Sequence, residues 1–368
     1  MLDDLSEKVS HTVLLPMVEG SAFKNNYTSV LERAVHNKKI AALKKGQVVA
    51  LKKGRRNKNN KSNTNNTNNT AVVAEPGMEG VKKYDSKNIY TALRKAANHP
   101  LLLLRLYEKN LDNIIQESHD LKLFGQNVSI RRVREYIHSA QTGNDFRLHQ
   151  HCEEYQHESK LLNSLMLDKK LLTDAPKLNW LREQLPLLWS QGHRVLLFSQ
   201  WTTLLDLVGI LMEQLGEGGR FMRLDGQTSV DERQDMIDTF NAPNSAYRTF
   251  LLSTRAGGMG INLTSADTVI LHDLDPNPTH DKQAEDRAHR IGQTKQVTVY
   301  RLVMEGTVDQ HILEKSESKA KLNTSVLQDG VPDPFKDADD DGKKGNKGQR
   351  SMNSLIERAL AQHGMGKE

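Results

Sequence analysis

The sequence predicts an α/β protein: a parallel sheet with helices on both faces, preceded by a mostly helical connector that contains a disordered insertion. Three observations support this fold class. Short apolar runs recur along the second half of the chain, segments of helical period separate them, and the loops between them are short. Strands and helices that alternate in this way are typical of a parallel sheet covered on both faces.

Five runs have the length and composition of strands. They are "RVLLF" (194–198), "RFMRL" (220–224), "TFLLS" (249–253), "TVILH" (268–272) and "VTVYRLV" (297–303). The segments of helical period between them are "TTLLDLVGILMEQLG" (202–216), "SVDERQDMIDTFN" (229–241) and "DKQAEDRAHRIG" (281–292). The second of these opens with a capping box from Ser229 to Glu232, which indicates a helix start.

Composition limits the class of protein. The chain has 368 residues, enough for two globular units or one unit with extensions, and 37% of them are hydrophobic. It contains no apolar run near the ~20 residues of a membrane span and no N-terminal signal pattern, which predicts a soluble protein. The net charge of +5 is compatible with a polyanionic partner. Cys152 is the only cysteine, which excludes a disulfide framework and indicates a reducing compartment.

Two segments are too polar to form a core. Residues 52–70, "KKGRRNKNNKSNTNNTNNT", predict disorder, and their basic first half fits either a nuclear-import signal or a solvated loop insertion. Residues 337–348, "DADDDGKKGNKG", resemble a calcium loop. Gly348 stands where that loop needs a bidentate Glu, so we predict a solvated tail without calcium.

The loops that follow the strands hold the candidate ligand-binding groups, because parallel sheets bind ligands outside the carboxyl ends of their strands. These loops are "SQW" (199–201), "DGQTS" (225–229) and "TRAGGMGINL" (254–263). Their hydroxyls, amides and bare backbone N–H groups are suited to holding phosphates without reading bases.

The glycine-rich loop has two other interpretations. A dinucleotide fingerprint is disfavoured because Leu263 stands where the third glycine belongs, after Gly258 and Gly260. Glycines that serve only a tight turn explain Gly257 and Gly258 as well as contact with a ligand does.

The histidines favour structure over metal binding. His149 and Cys152 lie in "RLHQHCEEYQHESKLL" (147–162), which predicts a solvated polar helix whose side chains fan around the axis, so we predict no zinc site. His99, in "ANHP", is predicted to be a packing residue at a helix end that Pro100 enforces.

Four segments in order resemble motifs IV to VI of the SWI/SNF-type DNA-dependent ATPases of helicase superfamily two. They are "VLLFSQW", "RLDGQT", "LLSTRAGGMGINL" and "QAEDRAHRIGQT", within about residues 170–325. Upstream, "HTVLLPMVEGSAFKNNYTSVL" and "ALRKAANHPLLL" resemble the connector between the two motor lobes of that family. "HDLDPNPTHDKQAEDR" is most similar to the single-subunit nucleosome remodellers of heterochromatin maintenance and DNA end resection.

The resemblance implies a division of the chain into five regions. After the last strand, "EGTVDQHILEK" opens with Thr307 as N-cap and Gln310 three residues on, and it resembles the brace helix that crosses back toward the first lobe. The expected regions are the end of the first lobe and connector (1–50), the disordered insertion (51–80), the helical connector (81–170), the RecA-like helicase C-terminal lobe with its brace helix (171–325), and a charged, mostly disordered tail (326–368).

The resemblance also implies the role of individual residues. Arg287 and Arg290 would be the catalytic arginines that meet the γ-phosphate of ATP, and residues i and i+3 share one face of a helix. Without the motif context, the same residues would be a solvated helix face on which Asp286 pairs with Arg290. The implied nucleotide-binding residues are Gly260, Asn262 and Gln283, and the implied DNA-binding residues are Ser199, Gln200, Thr228, Thr254, Arg255 and Gly258.

Two departures from the family limit what can be carried over. The sequence has no G-x-x-x-x-G-K-[ST] loop and no D-E-x-H box, so the Mg²⁺ ligands for ATP are expected on a first lobe supplied in cis or in trans. The chain alone is therefore expected not to turn over ATP. Pro276 stands where many family members carry tryptophan, so an aromatic DNA contact is not expected there.

The implied function is the C-terminal half of a nuclear ATP-dependent DNA translocase. Its expected partners are double-stranded DNA and the nucleosome with its histones, and no membrane. The alternatives are a non-catalytic DNA-binding or regulatory module that keeps the fold without turnover, and a scaffold that binds partners through the helical connector.

Overall fold

A six-stranded sheet with all strands parallel organises the chain, in the order β1-β6-β5-β2-β4-β3. The computed structural model describes residues 6–35, 86–138, 143–216, 220–257, 260–329, 354 and 356–365. The insertion at 51–80, the basic run at 52–70, the calcium-like segment at 337–348 and Gly258 lie outside these described residues.

The predicted parallel α/β fold is confirmed, and the strand bounds differ from the predicted ones by one residue at most. The strands are β1 Lys8–Leu15, β2 Val195–Ser199, β3 Phe221–Leu224, β4 Thr249–Ser253, β5 Thr268–Leu271 and β6 Val297–Met304. The helices are α1 (22–35), α2 Ser86–Asn98, α3 Leu111–Asp120, α4 Ile130–Ile137, α5 Asp145–Glu154, α6 Lys160–Ser164, α7 Lys169–Leu172, α8 Pro176–Ser190, α9 Thr202–Gln214, α10 Val230–Asn241, α11 Thr254–Gly257, α12 Pro278–Glu285, α13 Val308–Asp329 and α14 (356–362).

Alternation along the central strands separates two apolar cores. In β2, Leu196 and Phe198 belong to one buried cluster, whereas Val195 and Leu197 belong to the other. Successive side chains of a strand point to opposite faces, so each cluster lies on its own face of the sheet. This is why the central strands are continuous apolar runs instead of alternating ones.

The sixth strand, β1, comes from the region that the sequence analysis assigned to the end of the first lobe and connector. It pairs in parallel with β6, from Lys8 beside Val297 to Leu15 beside Met304. Four of its residues are exposed, as expected for an edge strand, so its pattern lacks the apolar run that marked the central strands.

The helical connector contains a third apolar cluster, which corrects one prediction. α5 was predicted to be a solvated helix, but His149 and Cys152 are buried among residues that include Tyr107 and Leu148. His149 Nδ1 accepts the Leu167 N–H at 3.2 Å, and burial lowers the pKa of this imidazole. Both residues therefore belong to a packed helical unit.

His99 is a packing residue, as predicted. It is fully buried at the end of α2, and its Nδ1 accepts the Leu101 N–H at 3.1 Å. Burial lowers the pKa of His99 to about 3, which keeps the ring neutral.

The predicted helix starts at Ser229 and Thr307 are confirmed. Ser229 and Glu232 form a reciprocal capping box at α10, and Thr307 Oγ1 accepts the Asp309 N–H at 3.1 Å at the start of α13. The first turns of α13 are core, however, because Val308 and Ile312 are buried against the sheet. The start of the predicted brace helix is therefore part of the lobe.

The predicted tail also contains packed structure. In α14, Ile356, Ala359 and Leu360 are buried in the same cluster as α13, and His363 Nε2 lies 3.0 Å from the Gly306 carbonyl oxygen. Ala359 and Leu360 follow Ile356 by three and four residues, which is the spacing of one helical face. The charged residues around them concealed this pattern in the sequence. Among the helices of the described ranges, none combines the length and apolar character that a membrane crossing requires.

Candidate functional site

Four loops converge at the carboxyl ends of the strands, which we call the carboxyl edge. Because the strands are parallel, the register brings Ser199 of β2 beside Ser253 of β4, and Leu224 of β3 beside Leu252. The loops after β2, β3, β4 and β5 therefore start next to one another, which is where parallel sheets bind ligands.

Ser199 is a structural residue of this edge, which corrects its predicted contact with DNA. Its side chain is fully buried, and its hydroxyl donates to the Asp273 carboxylate and accepts the Trp201 N–H at 3.1 Å. The Gln200 N–H also donates to Asp273, at 3.1 Å. Burial raises the pKa of Asp273, while the charge of Arg94 acts in the opposite direction. Ser199 thus fixes the loop after β2 and presents no group to a ligand.

The side chain of Gln200 is half-buried, and its Oε1 accepts a hydrogen bond from Arg94 Nη2 at 2.7 Å. Arg94 belongs to α2, far away in sequence. The predicted DNA-contacting amide is therefore held by a residue that the sequence analysis did not single out.

The loops after β3 and β4 supply the other predicted phosphate-binding groups. Thr228 is half-buried, and its Oγ1 accepts the Asp225 N–H at 3.2 Å. Thr254 is half-buried and Arg255 is exposed at the start of α11. The structure therefore brings Gln200, Thr228, Thr254 and Arg255 to one edge.

The two arginines lie in a turn, which corrects the prediction that Arg287 and Arg290 share one helical face. α12 ends at Glu285, and residues 286–292, here called the arginine turn, continue without regular helix to Gly292, which has φ +100°. For the same reason, Asp286 and Arg290 are not an i, i+4 pair on a helix.

Two hydrogen bonds to carbonyl oxygens of the arginine turn prevent the helix from continuing through it. The Arg287 carbonyl accepts the Leu263 N–H at 3.1 Å, and the Ala288 carbonyl accepts from Gln293 Nε2 at 3.1 Å. In a continuous helix these carbonyls would accept from N–H groups four residues later. Gln293 is buried and also donates to the Thr264 and Ala266 carbonyls, so it ties the arginine turn to the loop after β4.

An open groove of about 440 Å³ lies between Gln283 and the two predicted catalytic arginines. Arg287 and Arg290 both line this groove, and burial, followed by the positive charge of Arg290, lowers the pKa of Arg287. Arg290 Nη1 lies 3.4 Å from the Gly260 carbonyl oxygen, and Asn262 is exposed on the same loop. The groove is lined by Gln283, Asp286, Arg287, His289, Arg290 and Ile291. Two adjacent cations in an open groove are suited to an anion.

A buried carboxyl group supports the start of α12. Asp281 accepts the Asp275 N–H at 3.1 and 3.2 Å through its two oxygens. Burial, together with the Asp275, Asp273 and Glu285 carboxylates, raises the pKa of Asp281 to about 8, and the hydrogen bond from the Asp275 N–H acts in the opposite direction. In the part of the chain that the structure describes, no three or more His, Cys, Asp or Glu side chains are grouped to hold a metal ion.

Comparison with known proteins agrees with this geometry. The family described as Helicase conserved C-terminal domain matches residues 176–292. Protein CHROMATIN REMODELING 19 of Arabidopsis thaliana is 44% identical over 254 residues, which are 69% of this chain and 32% of that protein. The human "SWI/SNF-related matrix-associated actin-dependent regulator of chromatin subfamily A containing DEAD/H box 1" is 41% identical over 245 residues, which are 67% of this chain and 23% of that protein.

A solved structure extends the likeness to the fold. The crystal structure of the C-terminal part of the Fun30 ATPase domain superposes with a TM-score of 0.67 at 28% identity, covering 85% of this chain and 90% of that one. The alignments span about a third or less of the two curated relatives. The chain thus carries a helicase C-terminal domain with the RecA-like fold of a second motor lobe, and over about two thirds of its length it is similar to SWI/SNF-related chromatin remodellers.

Proposed function

We propose that this chain is the C-terminal half of an ATP-dependent DNA translocase that remodels nucleosomes. One observation carries the proposal: Arg287 and Arg290 line one open groove together with Gln283, beside Gly260 of the glycine-rich loop. Two guanidinium groups that line one open groove can bind a polyanion through charge-assisted hydrogen bonds, and a triphosphate is such an anion. ATP with Mg²⁺ is the cofactor that fits this donor set.

The chemistry required of the groove is electrostatic. ATP supplies the phosphoryl group, and negative charge on that group must be stabilised during its transfer. The planar guanidinium groups of Arg287 and Arg290 provide paired N–H donors for this purpose, while Gln283 offers an amide. We propose that Gly260 and Asn262 complete the nucleotide side and that a first lobe supplies the magnesium ligands.

The carboxyl edge is the proposed DNA surface. Gln200, Thr228, Thr254 and Arg255 converge there and offer an amide, two hydroxyls and a guanidinium. Such groups bind the phosphate backbone without reading sequence. The chromatin-related names of the relatives support a nuclear location and nucleosomal DNA with its histones as substrate.

Replacing Arg290 tests the catalytic assignment in a motor that contains the Walker-type first lobe. We expect Arg290→Ala to lower DNA-stimulated ATP hydrolysis by roughly 10³- to 10⁵-fold, the usual worth of an arginine that stabilises a transferring phosphate. DNA affinity and melting temperature should stay near wild type, because Arg290 is exposed and lies outside the core. Arg290→Lys should restore little, since an ammonium group lacks the planar fork.

Arg131→Ala provides the matched control, because that side chain is 86% exposed on α4. Near-normal turnover of Arg290→Ala would contradict the assignment and favour the non-catalytic module. A parallel fall in turnover and melting temperature would assign Arg290 to the stability of the fold.

A further inference from the structure

Arg94 bridges two loops of the carboxyl edge from the connector. Its Nη2 donates to Gln200 Oε1 at 2.7 Å and to the Leu274 carbonyl oxygen at 3.0 Å. These partners lie 106 and 180 residues further along the chain, in the loops after β2 and β5. A single guanidinium on α2 therefore contacts both loops, which Asp273 also links through Ser199 and the Gln200 N–H.

The same helix holds the ring of Trp201. The guanidinium carbon of Arg94 lies 5.6 Å from the ring centroid and Lys95 Nζ lies 5.4 Å from it, both within the range of a cation–π interaction. Trp201 Nε1 is buried without a hydrogen-bond partner among the described residues. The orientation of the ring therefore depends on packing and on the two cations of α2.

The amide of Gln200 is held at its acceptor end only. Arg94 occupies Oε1, while Nε2 is buried and has no hydrogen-bond partner among the described residues. A guanidinium has only donors, so it fixes which end of the amide faces it. The amide nitrogen is thereby turned away from Arg94. It is a buried donor without a partner among the described residues, which costs free energy, and a phosphate oxygen that reaches this loop would satisfy it.

We propose that Arg94 is a positioning residue for DNA binding: from the connector helix it orients Gln200 and Trp201 for the tracked strand without itself touching the phosphates. This inference rests on the proposed function, because it assumes that DNA runs along the carboxyl edge. Through this residue the connector sets the geometry of a DNA-contacting loop of the motor lobe.

Salt dependence distinguishes positioning from direct contact. Duplex DNA affinity of the whole chain is measured by fluorescence anisotropy at several salt concentrations for wild type and Arg94→Met. We expect about a tenfold weaker affinity, the usual worth of a hydrogen bond to a charged group, with an unchanged slope of log affinity against log salt. A direct phosphate contact would instead lower the slope by about one.

A double-mutant cycle tests whether Arg94 acts through Gln200. In a Gln200→Ala background we expect Arg94→Met to have less than about a twofold further effect, because coupled residues are not additive. Arg94→Lys should remain close to Arg94→Met, since one ammonium cannot reproduce the bridge between two loops.

Gln200→Glu tests the same role if Arg94→Met melts below the assay temperature. The carboxylate still accepts from Arg94 but has no N–H₂, so we expect DNA affinity to fall while the melting temperature stays near wild type. Arg131→Met, which removes an equal charge from exposed α4, should leave affinity within about twofold of wild type.

The measurements distinguish a failure of the proposed function from a failure of the role assigned to Arg94. A wild-type chain that does not bind duplex DNA contradicts the proposed function itself. If wild type binds, four results overturn the positioning role of Arg94. In two of them, Arg94→Met binds as tightly as wild type, or its slope of log affinity against log salt falls by about one. In the other two, Arg94→Lys restores wild-type affinity, or the loss caused by Arg94→Met is fully additive with that of Gln200→Ala. Unaltered binding by Gln200→Glu overturns it as well.

Discussion

At the scale of single residues, Asp281 sets a pH dependence of stability. Burial raises its pKa to about 8, whereas an aspartate in an unfolded chain titrates near pH ~4. Between these values the folded state holds a proton that the unfolded state releases. The free energy of unfolding therefore falls as pH rises through this window, and the contribution of Asp281 is largest at acidic pH.

Asp281→Asn should remove this dependence while keeping an oxygen that can accept the Asp275 N–H. We expect the variant to melt above wild type at pH ~8 and the difference to shrink toward pH ~5, where the wild-type carboxyl is neutral. Thermal melting over this pH range measures the difference. Asp235→Asn, at an exposed position of α10, is the control. A difference that does not change with pH would contradict the prediction.

At the scale of elements, one buried ion pair joins α8 to α13. Lys177 Nζ lies 2.6 Å from Asp309 Oδ2 and also donates to Asn98 Oδ1 at 3.0 Å and the His272 carbonyl at 2.8 Å. These partners belong to α13, α2 and the loop after β5. The start of α13 is thus fixed to the lobe, and we propose that only its later turns act as a brace toward a first lobe.

Removing one member of this pair should be more destabilising than replacing both. Asp309→Ala leaves a fully buried ammonium without its counter-ion, which costs about 3–5 kcal/mol, whereas the pair Lys177→Met with Asp309→Leu buries no charge. Urea unfolding of the single and double variants measures both. Arg131→Ala, which breaks an exposed pair with Glu135, should cost under about 1 kcal/mol. Equal losses for the single and double variants would show that the charge itself is unimportant.

At the scale of the whole molecule, the excess of basic over acidic residues predicts weak DNA binding without sequence preference. The chain carries a net charge of +5, and Arg255 is exposed at the carboxyl edge. Affinity for duplex DNA should fall steeply with salt, because released counterions drive such binding. Arg255→Ala should weaken binding equally on every sequence and lower the salt slope by about one. Salt-independent binding, or strong preference for one sequence, would contradict a backbone-tracking surface.

The predictable part of the fold is the part encoded by local pattern. The central strands are buried on both faces, so each appears as a continuous apolar run, and the capping groups of α10 and α13 are adjacent in sequence. The edge strand β1 was missed because half of it is exposed and its partner β6 lies at the far end of the chain. The buried face of α5 was missed because His149 and Cys152 are polar or small, which hid the core positions.

The sequence by itself determined the alternation of strands and helices, the loops that hold candidate ligand groups, and the two arginines, because these depend on residue type and short spacing. Tertiary structure alone decided that α12 stops at Glu285, that Ser199 is buried and that Arg94 holds Gln200. Each of these outcomes depends on a hydrogen bond to a residue distant in sequence: Leu263 to the Arg287 carbonyl, Ser199 to Asp273, and Arg94 to Gln200. No local pattern encodes such a partner, since it exists only after the sheet has brought the loops together.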